Sequence, residues 1–293
     1  MSVIETRNLC KYYGKHRGIV DVSFSVEEGE IFGFIGPNGA GKTTTIRILL
    51  GLIFPTSGTA RIFGKDCTRE GHEIRKEIGY VPGEVNYYSN VTVDELLNYS
   101  ASFYDRVDKK YIKELCEIFE LDPKKKFREL STGNKKKVAI VQALLHKPKL
   151  LICDEPTNGL DPIMQNRLFE IIRELKGQGT TIFFSSHILS EVQKLCDEFA
   201  MIKEGKVVKT GKIEQLAGFN YKSITLQSRQ IDELERTLKI PHRRIDDSTI
   251  SFKYSGDINE LLKKLSEIQI ENIWIEDPSL EELFLSFYEE GER

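Results

Sequence analysis

The chain has 293 residues, 40% of them hydrophobic and 30% charged, the makeup of a globular protein with one large domain and an appendage. A formal net charge of −3 and a pI near 6.1 argue against a protein built to grip a polyphosphate backbone through many contacts. Cys10, Cys67, Cys116, Cys153 and Cys196 are scattered without a CxxC pair, as reduced core thiols would be, and no apolar run approaches the ~18–20 residues of a membrane span.

The opening MSVIETRNLCKYYG lacks the basic start and apolar run of a signal peptide, so a cytosolic chain is expected. Within it, Tyr12 and Tyr13 each offer an aromatic face on which a nucleobase could stack, and as strand neighbours they would point to opposite faces.

Ile31 to Ile35 reads as a short buried strand, and TTTIRILLGL from Thr43 has helical spacing. Between them, Gly36, Pro37, Asn38, Gly39, Ala40, Gly41, Lys42 and Thr43 fit GxxxxGK[ST], the phosphate-binding loop, in its required strand–loop–helix setting. The backbone amides of Gly39 to Thr43 would wrap the phosphates at the positive end of the helix, with Gly36, Asn38 and Thr44 completing the nucleotide contacts. Lys42 would neutralise the β- and γ-phosphates, and the Thr43 hydroxyl would ligate Mg²⁺.

From Val93 to Leu121 apolar residues recur three and four apart, a helical insertion with Asp94 and Asp108 placed as helix starts. At LSTGN (130–134), Ser131 and Gly133 open the helix NKKKVAIVQALL, offering an anion a hydroxyl, a close backbone and a helix dipole. A serine there also serves as an ordinary helix cap.

Leu150 to Cys153 reads as a second buried strand, ending in the carboxylates Asp154 and Glu155, where a parallel sheet presents its ligands. Asp154 would hold Mg²⁺, and Glu155 would act as the general base on the attacking water. A helix follows around Met164 to Leu175, with Asp161 before Pro162 able to cap it. The strand from Thr181 leads to SSH at 185–187, and FAMIKEGKVVKTG reads as a hairpin turning at Glu204-Gly205. Strands alternating with helices predict a largely parallel, helix-covered sheet.

After Gly218 the pattern changes to a strand at 223–228, a helix at 230–238, strands near 242–246 and 249–254, a helix at 257–266, a strand at 270–276 and an amphipathic helix from Pro278. That is a βαββαβ order with one helix added. Residues 222–293 hold 10 Lys/Arg against 16 Asp/Glu, a poor balance for binding nucleic acid or anionic lipid.

The succession of the phosphate loop, LSTGN, LICDEPTNGLD (151–161) and SSH resembles the nucleotide-binding domain of ABC transporters over about residues 1–217, with a helical subdomain at about 90–148. LSTGN is the element that separates this family from other P-loop ATPases. The resemblance implies an α/β P-loop ATPase followed by a small α+β ferredoxin-like domain in 222–293. It implies that Ser131 and Gly133 contact the γ-phosphate held by an opposite protomer and that Asp161 lies across the same dimer interface. His187 would meet the γ-phosphate and the attacking water, and Tyr13 would stack on adenine. The ending PSLEELFLSFYEE resembles the accessory domain of ABC-2 type exporters, including drug and peptide-antibiotic resistance systems.

Expected from this are ATP and Mg²⁺ as ligands, a homodimer of ATP-binding subunits, a separate membrane permease, and a place on the inner face of the cell membrane. The rival reading, an ABC ATPase acting on nucleic acid or ribosomes, would carry two cassettes or long coiled-coil arms, and neither is in the sequence. Two departures stand out. Thr132 and Asn134 replace the usual Gly and Gln, and Gly83 in IGYVPGEV (78–85) stands where the family usually has a glutamine that bridges Mg²⁺ and the membrane partner. Either water fills that vacancy or Glu84 supplies an oxygen.

Overall fold

Alternating apolar residues open the chain as two long strands, β1 (Ser2–Tyr13) and β2 (His16–Glu27), in which Val22, Phe24 and Val26 are buried and Asp21, Ser23 and Ser25 are not. The computed structural model describes residues 2–105, 107–217, 221–238, 240–266 and 268–276. The chain divides into two compact units, Met1–Ile213 and Glu214–Arg293, each with its own hydrophobic core.

In the first unit, β3 (Ile31–Ile35) is buried at every residue and leads through the phosphate loop into α1 (Lys42–Leu49). Next come β4 (Ser57–Ile62), β5 (Lys65–Asp66), α2 (Gly71–Lys76) and β6 (Ile78–Val81). The helical insertion holds α3 (Val93–Ala101) and α4 (Lys109–Ile118), and α5 (Thr132–Leu144) follows it. The unit closes with β7 (Leu150–Asp154), α6 (Pro162–Gly177), β8 (Thr181–Ser186), α7 (Leu189–Leu195), β9 (Glu198–Lys203) and β10 (Lys206–Lys212).

These strands form two sheets. One is antiparallel, in the order β2-β1-β4-β5, and was not foreseen from the motifs. The other runs β10-β9-β3-β8-β7-β6, parallel throughout except at the β10 edge, as the alternation of strands and helices predicts. Phe24 of the first sheet joins Phe32, Phe34 and Phe183 of the second in one aromatic cluster with ring centroids 5.3–5.9 Å apart.

Local sequence explains the element ends. Asp108 caps α4 as expected, accepting the Lys110 N–H at 2.8 Å. The start of α3 is corrected from Asp94 to Thr92. The Thr92 hydroxyl accepts the Glu95 N–H at 3.2 Å while the Glu95 carboxylate accepts the Thr92 N–H at 2.8 Å, a reciprocal cap that Asp94 cannot form. The β9–β10 hairpin turns at Glu204 and Gly205, both with positive φ (50° and 78°), the geometry that matches strand twist. Cys67, Cys116, Cys153 and Cys196 are buried free thiols.

After α8 (Ile213–Ala217), the second unit follows β11 (Lys222–Gln227), α9 (Ile231–Leu238), β12 (Arg243–Arg244), β13 (Thr249–Tyr254), α10 (Ile258–Leu265) and β14 (Asn272–Glu276). Its sheet is antiparallel, in the order β12-β13-β11-β14, over a core that includes Ile224, Leu226, Phe252 and Leu261. The strand expected near 242–246 shrinks to two residues. His242 to Asp247 are all exposed, with no buried side chain to anchor a longer pairing. The helix expected from Pro278 lies outside the described residues.

Candidate active site

Three strand ends build the site. Because β8 lies between β3 and β7, Ile35 pairs with Ser186 and Asp154 with Ser185, so the phosphate loop, the 154–155 carboxylates and His187 leave the sheet side by side at its carboxyl edge.

Gly41 lets the loop turn into α1. Its φ is 111°, and a Cβ there would sit 2.6 Å from the Ile19 Cγ2, so no other residue fits. The first turn of α1 has no side-chain cap and no acidic residue, which leaves its amides open to an anion. Lys42 is 4% exposed; its ammonium donates to the carbonyls of Gly36 (2.6 Å) and Pro37 (3.1 Å) and pairs with Glu155 Oε1 at 3.0 Å.

Above the loop opens a cavity of about 430 Å³. Tyr13, Arg17 and Gly18 flank it, the loop residues Asn38, Gly39 and Gly41 to Thr44 line it, and Gly83, Glu84, Asp154, Glu155 and Asn158 complete it. Tyr12 is not among the lining residues; its backbone N–H is bonded to the Thr56 hydroxyl at 3.0 Å, so Tyr13 is the tyrosine that faces the cavity.

The two carboxylates have separate surroundings. Asp154 is 1% exposed and accepts the Ser185 hydroxyl at 2.9 Å. Glu155 accepts the Asn158 amide at 2.6 Å and lies 3.2 Å from His187 Nδ1, without hydrogen-bond alignment. Burial pushes the Glu155 carboxyl up, but the Lys42 ammonium, His187 and the Asn158 amide outweigh it and hold its pKa below the ordinary carboxylate value. Glu155 is therefore an ionised carboxylate whose charge is engaged by the phosphate-loop lysine.

Other residues singled out from sequence stand apart from the cavity lining. Gly36 and Ala40 are buried in the loop's base. Ser131 is exposed and caps α5, accepting the Asn134 N–H at 3.2 Å; Asp161 likewise caps α6, accepting the Met164 N–H at 3.0 Å. Gly133 packs against the Gly159 backbone so closely that a Cβ would approach the Gly159 carbonyl to 2.6 Å.

The profile of the ABC transporter family matches residues 19–158. The bacitracin transport ATP-binding protein BcrA of Bacillus licheniformis is 38% identical, over 97% of this chain and 96% of its own length. The linearmycin resistance ATP-binding protein LnrL of Bacillus subtilis is 31% identical, over 97% of both. The chain belongs to the ATP-binding proteins of ABC transporters. A solved dimeric bacterial ABC transporter cassette, 26% identical, covers 72% of this chain and 98% of its own at a TM-score of 0.67.

The ABC cassette is an ATPase. Sequence reasoning missed Arg17, Gly18, Asn158, Ser185 and Lys136, which touch the cleft or its walls. Asn158 had a signal in its place three residues after Glu155, and Arg17 in its hairpin pairing beside Tyr13, whereas Ser185 and Lys136 come into view only when distant segments pack. Among the described residues no helix is long and apolar enough to cross a membrane.

Proposed function

We propose that this cassette is the motor of an exporter: a homodimer on the inner face of the membrane that drives a separate permease by hydrolysing ATP. The observation that carries the chemistry is the convergence of Lys42, Asp154 and Glu155 on one cleft, with His187 outside the cavity lining but 3.2 Å from Glu155. The transport and resistance relatives support export.

In this reading adenine stacks on Tyr13 and the phosphates enter the open amides of Gly39 to Thr43. Lys42 then exchanges its Glu155 partner for the β- and γ-phosphates. Losing that ammonium raises the proton affinity of Glu155 as the γ-phosphate arrives. Water attacks the γ-phosphorus, Glu155 takes its proton, and the bond to the β-phosphate oxygen breaks to leave ADP and phosphate. Ser131 and Gly133, remote from their own cleft, would close over the partner's ATP. Beside Asp161, Ile163 is 70% exposed, an apolar residue suited to the same interface.

A Mg²⁺ ion fits this donor set. Among the described residues no three His, Cys, Asp or Glu form a metal cluster, yet the Thr43 hydroxyl and the Asp154 carboxylate line one cleft, enough for an ion carried in by the triphosphate. When bound, it would draw charge from the β- and γ-phosphate oxygens. Glu84 is exposed and lines the cleft with Gly83, in reach of the role that Gly83 cannot fill. Glu84→Ala should therefore raise the Mg²⁺ concentration for half-maximal ATPase activity of the isolated chain; an unchanged titration leaves Glu84 without a metal role.

The permease would dock at a second groove of about 370 Å³, lined by Leu52, Tyr80, Tyr87, Tyr104 and His146. Exposed Phe54, Tyr88, Tyr99 and Phe103 add apolar surface to the cassette. Pro82 lines this groove while Gly83 lines the ATP cleft, so one dipeptide borders both. Within the second unit, residues 222–293 are proposed as a ferredoxin-like accessory domain, supported by the βαββαβ order and strand arrangement. Deleting 222–293 should leave a folded chain that still binds ATP, because the cassette core is built from earlier residues. Insolubility or lost nucleotide binding on truncation would place the boundary elsewhere. Export itself is tested in a host that depends on this chain and its permease for resistance to a peptide antibiotic: Glu155→Gln should abolish resistance, and full resistance would overturn the reading.

A further inference from the structure

Lys136, on the second turn of α5, is 2% exposed although it carries a charge. Its ammonium is turned inward and donates to the carbonyls of Pro82 (2.8 Å), Gly83 (2.7 Å) and Glu155 (3.2 Å). Those three bonds satisfy its three N–H groups and join three separate pieces of chain: the helix that begins at Ser131, the dipeptide between groove and cleft, and the peptide of Glu155. Burial pulls its pKa below the ordinary amine value, against the pull of the Asp154 and Glu155 charges. A buried ammonium is costly, and it is kept where its donors are all taken up, as they are here.

What the charge touches is unusual backbone. Glu155 has φ +46°, a left-handed conformation that a residue with a side chain adopts at an energetic cost and keeps only when its surroundings hold it. Its N–H is held by the Ser185 carbonyl and hydroxyl, both at 3.2 Å, and its carbonyl accepts from Lys136 at 3.2 Å and from the Asn158 N–H at 3.3 Å. Of the groups that hold the Glu155 backbone, Lys136 is the one that comes from the helix α5 and also grips the Pro82–Gly83 carbonyls. Gly83 has no side chain with which to reach the carboxylate edge, although a Cβ there would meet only ordinary contacts with Asp154 at 3.5 Å and beyond. The link between the dipeptide and Glu155 runs through Lys136 instead.

We propose that Lys136 is a positioning residue for hydrolysis, one that holds the Glu155 backbone in place and ties it to the Pro82–Gly83 segment and to α5. The proposal rests on the reading of Glu155 as the base. It gives the cassette a mechanical connection from the groove side to the base that passes through backbone carbonyls and one buried ammonium.

The test uses Lys136→Met, similar in length and without donors, and Lys136→Gln, which keeps two amide N–H groups, both in the full chain. The Met variant should lose roughly 10- to 100-fold in kcat, the scale of a misplaced catalytic group. Its ATP dissociation constant should stay within about twofold of the parent, because Lys136 does not line the nucleotide cleft. The Gln variant should fall between. If the Met variant does not fold, the Gln variant decides: reduced kcat at unchanged ATP affinity supports the role. Parental kcat in a folded Met variant, or in the Gln variant if Met does not fold, overturns the proposal. So does a joint loss of kcat, ATP affinity and thermal midpoint in both, which would make Lys136 a residue of fold stability. Glu155→Gln measured in parallel separates the two readings: normal turnover there rejects Glu155 as base whatever Lys136 does.

Discussion

Glu155→Gln is expected to cut ATP turnover by roughly 10²- to 10⁴-fold, the range for loss of a general base, while ATP binding survives or tightens. The amide cannot take the proton of the attacking water. It also cannot form the 3.0 Å ion pair with which Glu155 engages Lys42, so the lysine meets the phosphates without a competitor. The remaining contacts of the side chain are ones an amide can share, since Asn158 donates to Oε2 at 2.6 Å and a glutamine carbonyl accepts equally well. With binding retained and hydrolysis blocked, ATP should hold two copies together, and the variant should elute as a dimer in ATP and as a monomer without it. Phosphate release and size-exclusion runs decide the matter. Near-normal turnover would reject the base, and a monomer at high concentration with and without ATP would reject the dimer.

Ser131→Arg should bring hydrolysis close to zero and leave the nucleotide affinity of the monomer nearly unchanged. Within its own chain the Ser131 hydroxyl accepts only the Asn134 N–H, a helix cap whose loss costs about 1 kcal/mol, so the variant should remain folded. The residue is exposed and does not line its own cleft, which leaves ATP bound to that chain untouched. An arginine would instead fill the space into which the opposite ATP must dock. Titration with a fluorescent nucleotide analogue beside a phosphate-release assay separates the two effects. A parallel loss of monomer affinity would show that Ser131 acts inside its own fold, as a cap and nothing more.

Much of the cleft was readable because its determinants are contiguous. A strand, a glycine loop and a helix in sequence specify the phosphate loop, and a buried strand ending in Asp154 and Glu155 specifies a carboxylate edge whatever lies around it. The same holds for the hairpin at Glu204-Gly205 and the cap at Asp108, which depend on residues a few positions apart. The start of α3 was misplaced although its cap is equally local, because Asp94 and Thr92 are both good cap residues and only the reciprocal Glu95 bond distinguishes them.

The amino-acid order by itself thus determined the family's motifs, the alternation that makes the parallel sheet and the chemistry of the groups at its edge. Tertiary structure alone decided which groups meet. Tyr13 rather than Tyr12 faces the cleft, Ser185 holds Asp154 from a strand 31 residues away, and Glu155 is taken up by Lys42. Lys136, one of three consecutive lysines on a helix with nothing in sequence to set it apart, turns inward to carbonyls 53 and 54 residues before it and 19 after. The physical reason is that an ammonium's environment is set by strand pairing and helix docking far along the chain, which no spacing within the helix encodes.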